Sequence, residues 1–251
     1  MKKILIFKVV LFSFAFLPVL FAHASGSHDC VILLHGMGRT QNAMKKIEKE
    51  LIKAGYIVWN ETYPSTKKPI EELSVSHIDK GISYCNRCNS KQIHFVTHSL
   101  GGILVRYFLQ DHTLDNLGKI VMLSPPNKGS EVADYLKDLG LYEIMMGPAG
   151  QQLGTNADSI PKKMKPVHAT IGVITGEKGS ESWFSPMIPG KDDGKVSVES
   201  AKLDEMSDFL IVKSGHTFIM RDNSVIDQIK YFLKNGKFER KNPLNSSCLS
   251  H

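Results

Sequence analysis

One stretch of this 251-residue chain constrains its fold more than any other: His94-Phe95-Val96-Thr97-His98-Ser99-Leu100-Gly101-Gly102-Ile103. An apolar, β-favouring run stops at a serine, and two glycines follow one residue later. Leu100, Ile103, Leu104, Tyr107 and Phe108 then fall at helical spacing. The pattern predicts a strand, a tight turn and a helix, with Ser99 on the turn. Gly101 suits a backbone that folds closely beneath the serine. Thr97 stands where a smaller residue is usual and makes the turn more crowded. A serine so placed lies where the first N–H groups of a helix stabilise negative charge. Ser99 is therefore a candidate for chemistry rather than an ordinary loop serine.

The rest of the chain repeats this alternation. Residues 31–34 are a short apolar run that suits a strand buried on both faces. They lead into His35-Gly36-Met37-Gly38, whose glycines let the backbone approach a ligand closely. Thr40 or Asn42 is then expected to cap a helix with Met44, Ile47, Leu51 and Ile52 on its apolar side, ended by Gly55. Residues 56–59 predict the next strand, and a second helix follows Pro69. Further strands are expected at 119–124, stopped by Pro125 and Pro126, and at 167–175 and 209–213. A last helix carries Val225, Ile226, Ile229, Phe232 and Leu233 and closes at Asn235-Gly236. Short apolar strands alternating with amphipathic helices predict an α/β fold with a mainly parallel sheet.

Residues 1–24 have the pattern of an export signal. Lys2 and Lys3 precede an apolar run to Phe21, and Ala22-His23-Ala24 is a small-x-small cleavage site. The mature domain is then 25–251, exported to a periplasm or to the outside of the cell. The formal charge of +6 falls to +3, because Lys2, Lys3 and Lys8 leave with the signal and no acid does. The remaining excess is scattered, with no aromatic-interleaved basic stripe, so nucleic acid is not an expected partner. Four cysteines in an exported chain (Cys30, Cys85, Cys88 and Cys248) favour structural disulfides over redox chemistry. No His, Cys and carboxylate cluster has metal-ligand spacing, and neither a metal nor an organic cofactor is expected.

A serine hydroxyl is a weak nucleophile until a base takes its proton, and the base needs an orienting acid. Among the ten histidines, His216 follows the last predicted strand in Ser214-Gly215-His216-Thr217 and precedes the last helix. That places it at the carboxyl edge of the sheet, beside Ser99, where ligand groups gather in open α/β sheets. His35 ends a strand and reads as structural. His98, next to Ser99, is expected to leave the turn in another direction. For the acid, Asp192-Asp193-Gly194 follows the strand that ends near Gly176. Asp193 is the better candidate because Gly194 permits the sharp turn that aims its carboxylate inward. Asp192 and Glu131 are the alternatives.

With these residues in order, the chain resembles an α/β-hydrolase of the small bacterial lipase and esterase type. The matching motifs are His35-Gly36-Met37-Gly38, Thr97-His98-Ser99-Leu100-Gly101-Gly102, Asp193-Gly194-Lys195-Val196 and Gly215-His216-Thr217. They span nearly the whole mature chain in the family's Ser, Asp, His order. The resemblance implies Ser99 as nucleophile, His216 as base and Asp193 as orienting acid. It also implies the backbone N–H groups of Met37 and Leu100 as an oxyanion hole. A reduced sheet of about six strands with helices on both faces is expected, because little chain precedes residue 31.

Residues 129–166 are too long for a simple connection and rich in apolar residues, including Leu141, Met145 and Met146. In the family they would form a small helical cap over the site; the alternative is ordinary helices packed on the body. Cys30 and Cys88 flank strands that the family fold sets side by side, which pairs them. The implied reaction is hydrolysis of a small-molecule or lipid ester, with contact to a membrane surface through the cap. A thioesterase, phospholipase or acyltransferase could use the same three residues, and a hydrolase-like binding protein is the remaining class.

Overall fold

The computed structural model describes residues 28–137, 141–178 and 183–240. Residues 1–24, whose pattern is read above as an export signal, and Cys248 lie outside them. Six strands form one sheet: β1 (Cys30–Leu34), β2 (Ile57–Asn60), β3 (Ile93–His98), β4 (Leu117–Leu123), β5 (Thr170–Gly176) and β6 (Asp208–Val212). Their order across the sheet is β2-β1-β3-β4-β5-β6, and every neighbouring pair is parallel. All strands thus run their carboxyl ends to one edge. This is the α/β-hydrolase arrangement with six strands that the motifs predict.

Side-chain alternation along the strands divides the core in two. Cys30, Ile32 and Leu34 of β1, with Phe95, Ile120 and Met122, face one layer. Val31 and Leu33, with Val96, Val121 and Leu123, face the other. The first layer is covered by α2 (Ile70–Arg87) and α3 (Leu100–Asp111), the second by α1 (Lys45–Lys53) and α8 (Asn223–Asn235); the short helices α6 (Ile160–Lys163) and α7 (Val198–Ala201) precede and follow β5. A parallel strand buried on both sides must be apolar on both, which is why β1 reads as an unbroken apolar run. The α8 boundaries follow local chemistry. Asp222 accepts a hydrogen bond from the Ser224 amide at the start, and Gly236 ends the helix in the left-handed conformation (φ 73°).

Two local expectations differ from the structure. Neither Thr40 nor Asn42 caps α1: a single 3-10 turn, Gln41–Ala43, intervenes, and α1 starts after Met44. The Gln41 amide is satisfied instead by Thr62 Oγ1 at 3.1 Å, a partner too distant in sequence for a local pattern to show. The second concerns the cysteines. Cys30 is joined to Cys85, not to Cys88, with Cα atoms 5.7 Å apart. Ile78, Gly81 and Cys85 continue one inward face of α2 at helical spacing, whereas Cys88 caps the helix and is exposed. Helix phase, not proximity in sequence, selects the partner.

Gly101 lets α3 begin hard against the end of β1. A Cβ there would stand 2.6 Å from the Leu34 carbonyl oxygen and 2.8 Å from Leu34 Cβ. Backbone cannot yield as a flexible side chain would. Gly101→Ala is therefore expected to destabilise the protein by about 1–3 kcal/mol and to displace Ser99. A denaturant midpoint and an activity both equal to the parent's would show that α3 shifts freely.

Candidate active site

Ser99 sits between β3 and α3 with φ 52° and ψ −119°, a backbone conformation that an L-residue seldom adopts. The surrounding structure holds it there. The Ser99 amide donates to the Leu123 carbonyl at 2.9 Å, and the Gly102 amide donates back to the Ser99 carbonyl at 3.0 Å. Strain of this kind persists only where neighbours over-determine it. Thr97 is fully buried and its Oγ1 lies 3.3 Å from where a Gly102 Cβ would be. The bulk at position 97 is thus accommodated by the absence of a side chain at 102.

The loop after β1 approaches from the other side. A Cβ on Gly36 would meet His98 Nδ1 at 2.7 Å and Ser99 Cβ at 3.3 Å, so only glycine allows this approach. His35 braces the loop. Its ring stacks on Tyr63 with centroids 4.0 Å apart, its Nδ1 donates to the Gly36 carbonyl, and its Nε2 accepts from the Tyr63 amide. The Tyr63 hydroxyl in turn donates to the His35 carbonyl. Burial lowers the His35 pKa, consistent with a neutral ring that donates at one nitrogen and accepts at the other. Met37 lines the cleft beside Ser99. Among the described residues, neither the Met37 nor the Leu100 amide has a hydrogen-bond acceptor.

The loops after β5 and β6 meet because Gly176 has no side chain: a Cβ there would stand 2.0 Å from the Ser214 carbonyl oxygen. His216 Nδ1 donates to Asp193 Oδ2 at 2.8 Å, and the His216 amide donates to the Asp193 carbonyl at the same distance. Asp193 Oδ1 accepts from the amides of Lys195 (3.0 Å) and Val196 (2.9 Å). Burial alone would push the Asp193 carboxyl up. The facing His216 and the Val196 amide outweigh it and hold the group below its ordinary value. An ionised Asp193 can only accept, so the His216 proton lies on Nδ1 and Nε2 is left as the basic nitrogen.

The alternative acids are engaged elsewhere. Asp192 Oδ1 accepts from Ser185 Oγ and from the Gly194 amide, both at 2.7 Å, and so shapes the turn that presents Asp193. Glu131 Oε1 accepts from Ser197 Oγ at 3.4 Å.

His98 is a residue whose part the sequence did not disclose. It is buried, its Nε2 donates to the His216 carbonyl at 3.0 Å, and its ring lies 4.8 Å from the His216 ring. Burial, with His216 second, pushes its pKa well down, so the ring is a neutral tie between the Ser99 turn and the His216 loop. A pattern of types along the chain carries no signal for such a contact across 118 positions.

Ser99 and His216 line one cleft of about 630 Å³, counted to its open mouth. Among the described residues they share no hydrogen bond, a looseness common in ligand-free sites. Val132, Ala133 and Leu136 of α4 (Glu131–Lys137) and Met146 of α5 (Leu141–Gln151) form its apolar wall with Leu153. The side chains of Leu141 and Met145 lie outside the described set. Among the described residues no group of His, Cys, Asp and Glu has the arrangement of a metal site.

The fold of this chain is similar to that of several solved structures. The lipase BlEst2 of Bacillus licheniformis in its mature form matches with a TM-score of 0.70 at 18% identity, over 84% of this chain and 94% of that one. The phospholipase PlaB of Legionella pneumophila matches with a TM-score of 0.64 at 16% identity, over 82% of this chain and 59% of that one. A thermophilic esterase of Thermogutta terrifontis matches with a TM-score of 0.54 at 14% identity, over 84% and 91%. No curated protein matches by sequence. A family model covers residues 24–156, which include the loop after β1, the Ser99 turn and α4. By that match the chain belongs to the family described as "Putative serine esterase (DUF676)".

Proposed function

We propose that this protein is an exported serine hydrolase that cleaves carboxylic esters through Ser99, His216 and Asp193. The observation that carries the reading is the His216–Asp193 hydrogen bond at 2.8 Å in loops that share a cleft with the strained Ser99. Ser99 Oγ attacks the ester carbonyl carbon while His216 Nε2 takes its proton. The carbonyl oxygen becomes an oxyanion held by the Met37 and Leu100 amides, each worth on the order of a hundredfold or more in rate. His216 then gives its proton to the departing alcohol oxygen as the C–O bond breaks, leaving an acyl-serine. Water repeats the sequence, losing a proton to His216 and releasing the acid and Ser99. Asp193 stays ionised throughout and holds the imidazole in the required tautomer.

A fluorophosphonate probe tests this reading directly. It should label one residue, Ser99, and Ser99→Ala should leave no labelled site. Labelling elsewhere, or none in a protein that hydrolyses esters, would remove the mechanism. The Cys30–Cys85 disulfide supports the export proposal, since such bonds persist in oxidising compartments.

We further propose that residues 129–166 act as a cap and select the acyl group. Support comes from the apolar wall that α4 and α5 contribute beside Ser99. Each methylene of substrate buried there contributes about 0.8 kcal/mol of transfer free energy, so discrimination grows over several carbons. Met146→Gln is expected to lower the specificity constant for long acyl esters by several-fold and to spare short soluble ones. An unchanged long-to-short ratio in a folded variant would make the segment ordinary packing.

A further inference from the structure

The Ser99 cleft is lined by groups of two kinds. Its apolar side chains come from the segment between β4 and β5, while the loops after β1 and β5 contribute two cations, Arg39 and Lys195. Arg39 lies in the loop after β1, and Lys195 directly follows the Asp193-Gly194 turn. Each is close enough to the other to be felt. Burial first, and Arg39 second, lower the Lys195 pKa, and Asp193 opposes this only in part. Arg39 also bears on His98.

Among the described residues, neither side chain forms an ion pair or a hydrogen bond. Lysines 53, 68, 191, 202 and 230, by contrast, each meet a carboxylate within 3 Å. Among the described residues, the carboxylate that acts on Lys195 is Asp193. Its Oδ2 is taken by His216 and its Oδ1 by two backbone amides. Arg39 is exposed and Lys195 half-buried, and the two like charges act on each other across the cleft. An anion placed between them would relieve both the repulsion and the lost hydration.

We propose that the substrate ester carries an anionic group, phosphate or carboxylate, on its alcohol part, held between Arg39 and Lys195 while the acyl chain lies along the apolar wall. The inference rests on the reading of Ser99 as the nucleophile of an ester hydrolase. The ester bond must reach Ser99, so the two halves of the substrate extend from it in different directions. The apolar wall suits the acyl half, and the cationic loops suit the alcohol.

Octanoyl esters of glycerol, of glycerol 3-phosphate and of glyceric acid test this with the full mature chain, each held below its aggregation concentration. All three form the same acyl-serine, so differences in kcat/KM report only the step in which the alcohol is bound and expelled. The anionic esters are expected to be preferred over the neutral one by about tenfold, equivalent to about 1.4 kcal/mol, and added salt should shrink that preference. Arg39→Gln and Lys195→Gln should each lower the anionic-to-neutral ratio several-fold, and Arg39→Lys should retain most of it. A merely structural effect would lower both rates and leave the ratio. If Lys195→Gln does not fold, Arg39→Gln decides alone.

Preference for the phosphate ester only would assign a phosphate, and equal preference for both anionic esters would assign any small anion; both support the proposal. Hydrolysis of the neutral ester with no anionic preference in the parent, or a ratio unchanged in the glutamine variants, overturns the proposal and leaves the hydrolase reading standing. No hydrolysis of any ester together with no phosphonate labelling of Ser99 overturns the hydrolase reading, and the proposal with it.

Discussion

Ser99→Ala is expected to lower ester hydrolysis by a factor on the order of 10⁴–10⁶ while leaving the fold intact. The hydroxyl of a half-buried residue contributes little to the core, and the loops that position it are held by backbone hydrogen bonds, not by the side chain. His216→Ala should cost nearly as much, because an unassisted hydroxyl is a poor nucleophile. Asp193→Asn should leave a trace of activity. The amide can still meet the Nδ1 position, but it can donate there and favour the other tautomer, which removes the base from the reacting side. Combined variants should lose little beyond the worst single one, since the proposed mechanism has the three residues act as a unit. Rates with a short soluble ester, alongside unfolding curves, make the comparison. Activity retained in folded Ser99→Ala would sink the mechanism, and a fully active Asp193→Asn would return the acid role to Asp192 or Glu131.

Cleaving the disulfide should produce the largest stability change. Cys30 and Cys85 are 55 positions apart, and closing a loop of that length restricts the unfolded chain by about 4 kcal/mol in the chain-entropy treatment. Measured losses for native bridges run to roughly 2–5 kcal/mol, a large share of the stability of a domain this size. Cys30→Ser and Cys85→Ser should therefore lower the denaturant midpoint to similar extents, and a reductant should add nothing to either. Cys88→Ser should resemble the parent, because Cys88 is exposed at the end of α2. Destabilisation by Cys88→Ser with a neutral Cys85→Ser would mean that the bridge uses the other cysteine.

The apolar runs of β1, β3 and β4 and the periodic helices between them point to a mainly parallel α/β sheet, and the family resemblance sets it at about six strands. These are local signals. A strand buried on both faces must be apolar throughout, and a helix covering it must repeat its apolar residues along one side. The same reading set Ser99, Asp193 and His216 at one sheet edge, because each follows a strand and every strand of a parallel sheet ends on that side. The glycines at 36, 101 and 194 are legible for a related reason: at 36 and 101 a side chain would obstruct the backbone path, and at 194 the backbone is left-handed (φ 98°).

The tertiary structure decided what depends on rotation about a helix axis or on contacts between distant loops. The phase of α2 turned Cys85 inward and Cys88 outward, a difference of three positions that composition cannot resolve. The turn braced by Asp192 aimed Asp193 at His216, although the two aspartates are adjacent and alike in type. His98 became a tie to the His216 carbonyl only because Gly36 allowed the loop after β1 to close over it. Arg39 and Lys195 share one cleft only because the loops after β1 and β5 both reach it in the folded chain. A window of sequence records what each segment must bury, whereas the partners of a polar or charged side chain are set by how separate segments pack, and that information exists only in the assembled chain.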